Sequence, residues 1–295
     1  MTVSQALDPG RHAVGSPQWA KWRERVAPLL DSRLALVGLG LVMFWILVAI
    51  LAPLISPYDP LVQNPGAMNA GPSSDHILGT DDMGRDLWAR LAYGSQLILL
   101  LSTLSVLSAS AVGIVFGLTT GYFGGWVDEL VMRILDAIMA FPAILLYLII
   151  IAAIGPSALN VVIAVTIAGA PGVARLVRSL TIDIRTREYV AAAKLRGENP
   201  LYVMFVEILP NASGPILVDA MLRVGYTIFH IGTLGFLGLG PPPPAPDWGS
   251  IVFRGRLYIW NNPWAVLWPS LAISSLVVGI NLLVDGIRAE SRRKR

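Results

Sequence analysis

Twenty-two consecutive residues, Leu34–Ile55, carry no charge, and five further apolar runs follow: Leu97–Thr119, Ala137–Ile154, Ala158–Ala174, Gly214–Leu239 and Trp264–Val284. A helix rises ~1.5 Å per residue, so ~20 apolar residues cross a ~30 Å hydrocarbon core. Only helices or closed barrels satisfy their own backbone groups in lipid, and these runs lack the alternation of barrel strands. The reading is an all-α polytopic membrane bundle of six transmembrane helices. Composition agrees: of 295 residues 55% are hydrophobic and 14% charged, against about 25% charged in a soluble domain. The fourth run is shorter and is expected to be broken by Pro171. The first is expected to be a retained anchor, because 33 mostly polar residues precede it and no small-residue cleavage site is clear.

Orientation follows from the basic residues between runs. Seventeen Lys and Arg fall in the N-terminal tail, the second and fourth connections and the C-terminal tail; four fall in the first, third and fifth, and Arg223 lies inside a run. Both termini and the long fourth connection are therefore expected in the cytoplasm. The same asymmetry explains a pI near 9.3 by attraction to the anionic inner leaflet, without nucleic acid. The expected divisions are a cytoplasmic segment, 1–33; a first helix and external loop, 34–94; a core, 95–287, containing a cytoplasmic loop, 179–209; and a basic tail, 288–295.

Outside the runs, Trp19, Trp22, Val26 and Leu29 recur at helical spacing beside Lys21, Arg23, Glu24 and Arg25, which suits a helix lying in the membrane interface. In LGTDDMGRD (Leu78–Asp86), the spacing of Asp81, Asp82 and Asp86 does not match an alternating calcium loop. A hydrogen-bonded turn leading into the second helix is expected instead. PPPPAPDWGS (Pro241–Ser250) reads as a stiff external segment with polyproline geometry. Gly113, Gly117 and Gly121 form a line on the second run that suits close helix approach.

Catalytic and cofactor signatures are sparse. The absence of cysteine excludes disulfides, thiolate metal sites and cysteine nucleophiles. There is no GxxxxGK[ST] phosphate loop or GxSxG elbow; GFLGLG (Gly235–Gly240) is not a dinucleotide fingerprint; and His12, His76 and His230 form no metal-ligand pair. No catalytic or metal residue is assigned. A membrane enzyme would need polar groups converging from two helices, whereas only the fifth run is well supplied. There Asp219, Arg223 and His230 fall on one helical stripe. A charge near mid-bilayer costs ~2.5–3.5 kcal/mol, so the stripe faces protein or water. It is either a pathway lining, with Arg223 receiving a carboxylate, or a polar seam closed by an Asp219–Arg223 pair. Asp136 is expected to cap or pair at the cytoplasmic border.

The fourth connection has the most specific pattern. Glu188–Leu195 is strong helix-former sequence around Ala191, Ala192 and Ala193; Gly197 stops it, Pro200 fits soon after such a stop, and Pro210 is expected to close the loop before the next run. With Leu209-Pro210 at the matching distance, this resembles the EAA loop in the membrane subunits of ATP-driven (ABC) importers. ILGTDDMGRDLWARLAYG, GYFGGWVDELVMRILDAIMAFP, REYVAAAKLRG, EILPN, FLGLGPPPPAPDWGS and NLLVDGIR are similar to the second, or C-type, permease of the dipeptide/oligopeptide/nickel branch, from about residue 34 to 288. Ala191 replaces the motif glutamate, Glu188 lies one turn earlier, and Glu207 stands where histidine or an apolar residue is usual.

The resemblance implies a type I importer fold and a half-channel working by alternating access. It implies a homologous permease, two cytoplasmic ATPases holding ATP and magnesium, and an extracytoplasmic solute-binding protein. This chain itself would hold no cofactor and would not be an enzyme. The ATPase-coupling candidates are Glu188, Tyr189, Ala191, Ala192, Ala193, Lys194, Leu195, Arg196, Gly197, Pro200 and Leu201. Asp219, Arg223 and His230 are the pathway candidates. Di- or oligopeptides are the expected cargo, with nickel chelates, glutathione-like peptides or sugars as alternatives. A secondary transporter is the competing class, although the two halves show no convincing repeat.

Overall fold

The computed structural model describes residues 32–293; the expected interfacial helix around Trp19–Leu29 lies outside them. Helix α1, Arg33–Ile55, is capped by Ser32, whose hydroxyl accepts from Ala35 N at 3.3 Å. A turn-rich segment then leads to α2, Leu87–Phe123, whose N-terminus is capped by Asp86 accepting from Ala89 N at 2.7 Å. At 37 residues α2 is ~55 Å long and outreaches the bilayer core. It starts ten residues before the apolar run because its first turns, including Arg90, are buried by the adjoining loops.

Gly124 and Gly125, at φ +64° and +57°, turn the chain into α3, Gly125–Met139. Pro142, with no N–H to continue a helix, precedes α4, Ala143–Ile154, and the two helices meet at 89°. The third run is thus a bent pair, not one straight helix from Ala137. Helix α5, Ala158–Ile184, is capped by Ser157 and passes straight through Pro171. It extends ten residues beyond the expected span, so Arg175 and Arg178 stand on a helix and not in a loop.

Helix α6, Glu188–Leu195, matches its expected bounds. Asn199 then caps α7, Pro200–Phe236, with Pro200 in the first turn. The expectation that Pro210 closes the loop is corrected: it lies within α7. A π-turn over Val203–Ile208 widens the helix just before it, so Leu209 N donates to Met204 O, five residues back. The wider turn accommodates a ring that would clash with a regular preceding turn. Helix α8, Trp248–Gly255, is capped by Asp247, and α9, Trp264–Arg293, completes the bundle. Pro241–Pro244 does not keep polyproline geometry: Ala245 N donates to Pro242 O at 3.3 Å, closing a turn.

The packing fixes chain direction. A Cβ built on Gly113, Gly117 or Gly121 would lie 2.5, 2.6 and 2.6 Å from the Cβ atoms of Val173, Val177 and Thr181. Helices α2 and α5 therefore run parallel in close backbone contact, as small-residue lines permit. Two parallel neighbours require a return between them, so the bent α3–α4 pair carries the chain back through the bundle. With the five long apolar helices this makes six crossings. Helices α1 and α9 are antiparallel: Gly38 abuts Gly279 and Leu283, and Trp45 Nε1 donates to Ser275 Oγ at 2.9 Å. The start of α1 and the far end of α9 consequently share one end of the bundle.

The opposite end is a buried polar cap. Asp81 accepts from the Met83 and Arg85 amides at 2.9 and 3.0 Å and from Arg85 Nε at 2.7 Å, forming the turn expected before α2. Arg90 donates to the carbonyls of Pro60 and Ala245, both at 3.1 Å, and Asn262 to that of Thr80 at 2.8 Å. Burial pushes the Asp247 carboxyl above its ordinary pKa, although Ser250 donates to it through both its amide and its hydroxyl.

Candidate functional site

Helix α6 lies at the end of the bundle opposite that cap. Val190 and Ala193 are fully buried against Val177, Ile184, Val203, Met204 and Ile208, which joins α6 to α5 and the start of α7. Ala193 therefore anchors the helix and does not belong to its outer face, as the sequence reading had assumed. Glu188, Tyr189, Ala191, Ala192, Lys194, Leu195, Arg196 and Gly197 are exposed, as are Pro200 and Leu201. Leu195 is 90% exposed at the tip. The helix ends in a Schellman motif: Glu198 N donates to Ala193 O at 3.3 Å and Gly197 N to Lys194 O at 3.0 Å, with Gly197 at φ +80°. Arg196 pairs with Glu198 at 3.6 Å and with Glu207 of α7 at 3.5 Å.

A second cluster, missed in the sequence reading, lies beside it. Arg185, in the three-residue link between α5 and α6, donates from Nη1 to the Gly121 and Tyr122 carbonyls at 2.8 and 3.1 Å. Lys194 Nζ is 4.9 Å from the centroid of the Tyr122 ring. One helical turn into α3, Asp128 accepts from Arg178 Nε and Nη2, both at 2.5 Å. Asp136 pairs with Arg175 at 2.5 Å, as expected of a residue at this border. The sequence signal was available in part: consecutive glycines at 124 and 125, and two arginines seven residues apart, at 178 and 185.

The stripe on α7 is observed within the bundle. Arg223 Nε donates to Asp219 Oδ2 at 2.5 Å, and its Nη1 lies 3.5 Å from Gly169 O. His230 meets Tyr147 of α4 edge to face, with ring centroids 5.4 Å apart. Arg223 and His230 line a cavity of about 250 Å³ with Ser105, Tyr147, Tyr226 and Thr227. His230 Nδ1 and Ser105 Oγ are buried without a protein hydrogen-bond partner. The cavity wall is thus mixed: its polar groups sit among apolar residues such as Val106, Ala109 and Val165, and the Arg223 charge is held by Asp219 just outside the lining.

A family model described as "Binding-protein-dependent transport system inner membrane component" matches residues 113–294. Another, "N-terminal TM domain of oligopeptide transport permease C", matches residues 21–72. The dipeptide transport system permease protein DppC of Alkalihalophilus pseudofirmus is 42% identical over 267 residues, covering 90% of this chain and 88% of that protein. DppC of Haemophilus influenzae is 36% identical, covering 88% and 90%. The glutathione transport system permease protein GsiD of Pectobacterium atrosepticum is 38% identical, covering 90% and 89%. Among solved structures, an inward-facing MetNI methionine ABC transporter aligns with TM-score 0.54 at 21% identity, covering 68% of this chain and 95% of that one.

Proposed function

Because the chain belongs to the family of binding-protein-dependent transport system inner membrane components, we propose that it forms half of a translocation pathway for di- or oligopeptides. It is a multi-pass inner-membrane permease subunit of an ABC importer, a class that works with ATPase and binding-protein partners. The peptide assignment rests on relatives whose names specify dipeptides, oligopeptides and glutathione at 33–42% identity.

In this reading both termini and α6 are cytoplasmic, in keeping with the excess of Lys and Arg at that end. Two ATPase subunits bind ATP and magnesium; one receives α6 and the other the equivalent helix of a homologous permease. The solute-binding protein delivers peptide to the opposite face. Nucleotide-driven approach of the ATPases displaces the two loop helices, and the bundles rock between inward-open and outward-open states. This chain contributes no catalytic group and no cofactor. Glu188, Tyr189, Ala191, Ala192, Lys194, Leu195, Arg196, Gly197, Pro200 and Leu201 supply the ATPase contact, seated by Val190 and Ala193. Asp219, Arg223 and His230 line the pathway side of the bundle. With its charges paired, that wall presents polar groups without net charge, which suits cargo that differs from one peptide to the next.

The observation that carries the coupling assignment is the two-sided nature of α6: one face is locked into the bundle core, and the other is alanine-rich and open. Ala192→Arg changes only the open face. In the assembled transporter it should lower peptide uptake by about tenfold or more while ATP hydrolysis continues, the signature of a lost coupling free energy. Uptake per ATP equal to wild type would overturn the assignment.

A further inference from the structure

The joint between α2 and α3 is made of two glycines. Gly124 and Gly125 both occupy left-handed φ, have no side chains, and separate two helices that would otherwise be independent. Helix α5 grips this joint on both sides. Arg185 holds the last-turn carbonyls of α2, and Arg178 holds Asp128 in the first turn of α3. Arg185 caps the C-terminus of α5 in helical φ/ψ, seven residues after Arg178, so the two side chains leave the end of α5 on the same side, within ~20° of two full turns.

We infer that Arg178 and Arg185 are positioning residues that transmit displacement of α6 across the Gly124–Gly125 hinge to α3 and α4. This rests on the coupling reading of α6. The mechanical links are continuous. Only Arg185–Arg187 separate α5 from α6, and that link is closed by Arg185 N donating to Thr181 O at 2.9 Å and Arg187 N to Ile184 O at 3.0 Å. Lys194 of α6 reaches Tyr122 on the α2 side of the hinge. Beyond the hinge, α3 leads through the 89° bend to α4, which places Tyr147 against His230 in the cavity they both line. Releasing Arg178 from Asp128 would free the first turns of α3 beside the glycines, leaving Asp136–Arg175 at its far end as the remaining ion pair to α5, so displacement of α6 would reach the cavity wall only in part. Releasing Arg185 would let the end of α2 slip relative to α5.

The test is a charge exchange in the complete transporter, reconstituted with its partner permease, ATPases and binding protein. Asp128→Arg and Arg178→Asp each break the pair, and the double exchange rebuilds it with reversed polarity. Each single variant should lower uptake per ATP hydrolysed by about tenfold, and the double variant should recover at least about half of the loss. Arg185→Gln should uncouple in the same way, with partial recovery in Arg185→Lys, which keeps a cationic donor. A purely structural role would instead lower assembly and hydrolysis together without changing their ratio to uptake. Wild-type ratios in the single variants overturn the inference, as does failure of the double exchange in a complex that assembles with wild-type Tm. The chain has no cysteine, so Ala192→Cys provides a specific crosslinking probe. If that residue never crosslinks to an ATPase, the coupling reading itself fails. If it crosslinks while Asp128→Arg keeps the wild-type ratio, only the hinge inference fails.

Discussion

Asp219 and Arg223 show how a membrane helix can carry full charges. Left alone in the bilayer, each would cost ~2.5–3.5 kcal/mol. Held 2.5 Å apart on successive turns of α7, they solvate one another, and Gly169 O lies 3.5 Å from the guanidinium. The pair therefore behaves as a unit, and the two residues cannot be assessed separately. Arg223→Met alone should destabilise the assembled complex by about 2–3 kcal/mol, because it leaves a carboxylate without its counter-charge. Asp219→Asn together with Arg223→Met removes both charges and should restore most of that stability. Peptide uptake by the double variant should then lie within about threefold of wild type, since pair deletions are non-additive. Thermal unfolding and uptake of the two variants, measured side by side, decide the matter. Normal stability with abolished uptake in the double variant would mean that the guanidinium itself receives the peptide carboxylate.

Among elements, the α2–α5 crossing determines the arrangement of the rest. Three glycines one turn apart let α2 approach α5 to within backbone contact, and the parallel direction of the two helices forces α3 and α4 to be the return path. Gly113→Leu would drive a side chain into Val173, where even Cβ would sit 2.5 Å from its neighbour. Overpacking of this kind costs ~1–3 kcal/mol. Gly40→Ala, where a Cβ meets nothing within 4 Å, should leave the melting temperature of the purified complex unchanged. A Gly113→Leu protein as stable as the Gly40→Ala control would show that the crossing is not tight. The glycine line was legible in the sequence, as were the apolar runs and the bounds of α6. Three kinds of feature were not. Hydropathy measures suitability for lipid, so it cut α2 short at residues whose polar groups are satisfied by protein, such as Arg90 against the Pro60 and Ala245 carbonyls. For the same reason it ended α5 before Arg175 and Arg178, whose charges meet Asp136 and Asp128. Proline was over-read as a terminator: α5 continues through Pro171, and α7 takes up Pro210 after a π-turn that gives its ring room. Finally, three adjacent alanines look alike in sequence, and only packing distinguishes the buried Ala193 from the exposed Ala191 and Ala192.

At the scale of the whole molecule, this chain has the form of a wall more than a conduit. Its cavity of about 250 Å³ lies among α2, α4, α5 and α7 of one bundle, and on α3 and α4 large apolar residues face outward, among them Trp126, Leu130, Ile134, Leu145 and Ile149. Such a face is stable against lipid or against a second bundle, but by itself it encloses no aqueous passage for a peptide. The outer face of α6, the proposed ATPase contact, projects beyond the spans. The chain alone in liposomes should therefore bind no nucleotide and accumulate no peptide, whether or not ATP or an ion gradient is supplied. Addition of the homologous permease, both ATPases and the binding protein should produce ATP-dependent uptake. Radiolabelled dipeptide counted inside vesicles, with and without the partners, distinguishes a subunit from a self-sufficient carrier. Gradient-driven accumulation by the lone chain would identify a secondary transporter, and α6 would then need a different explanation, because no motor would be present to move it.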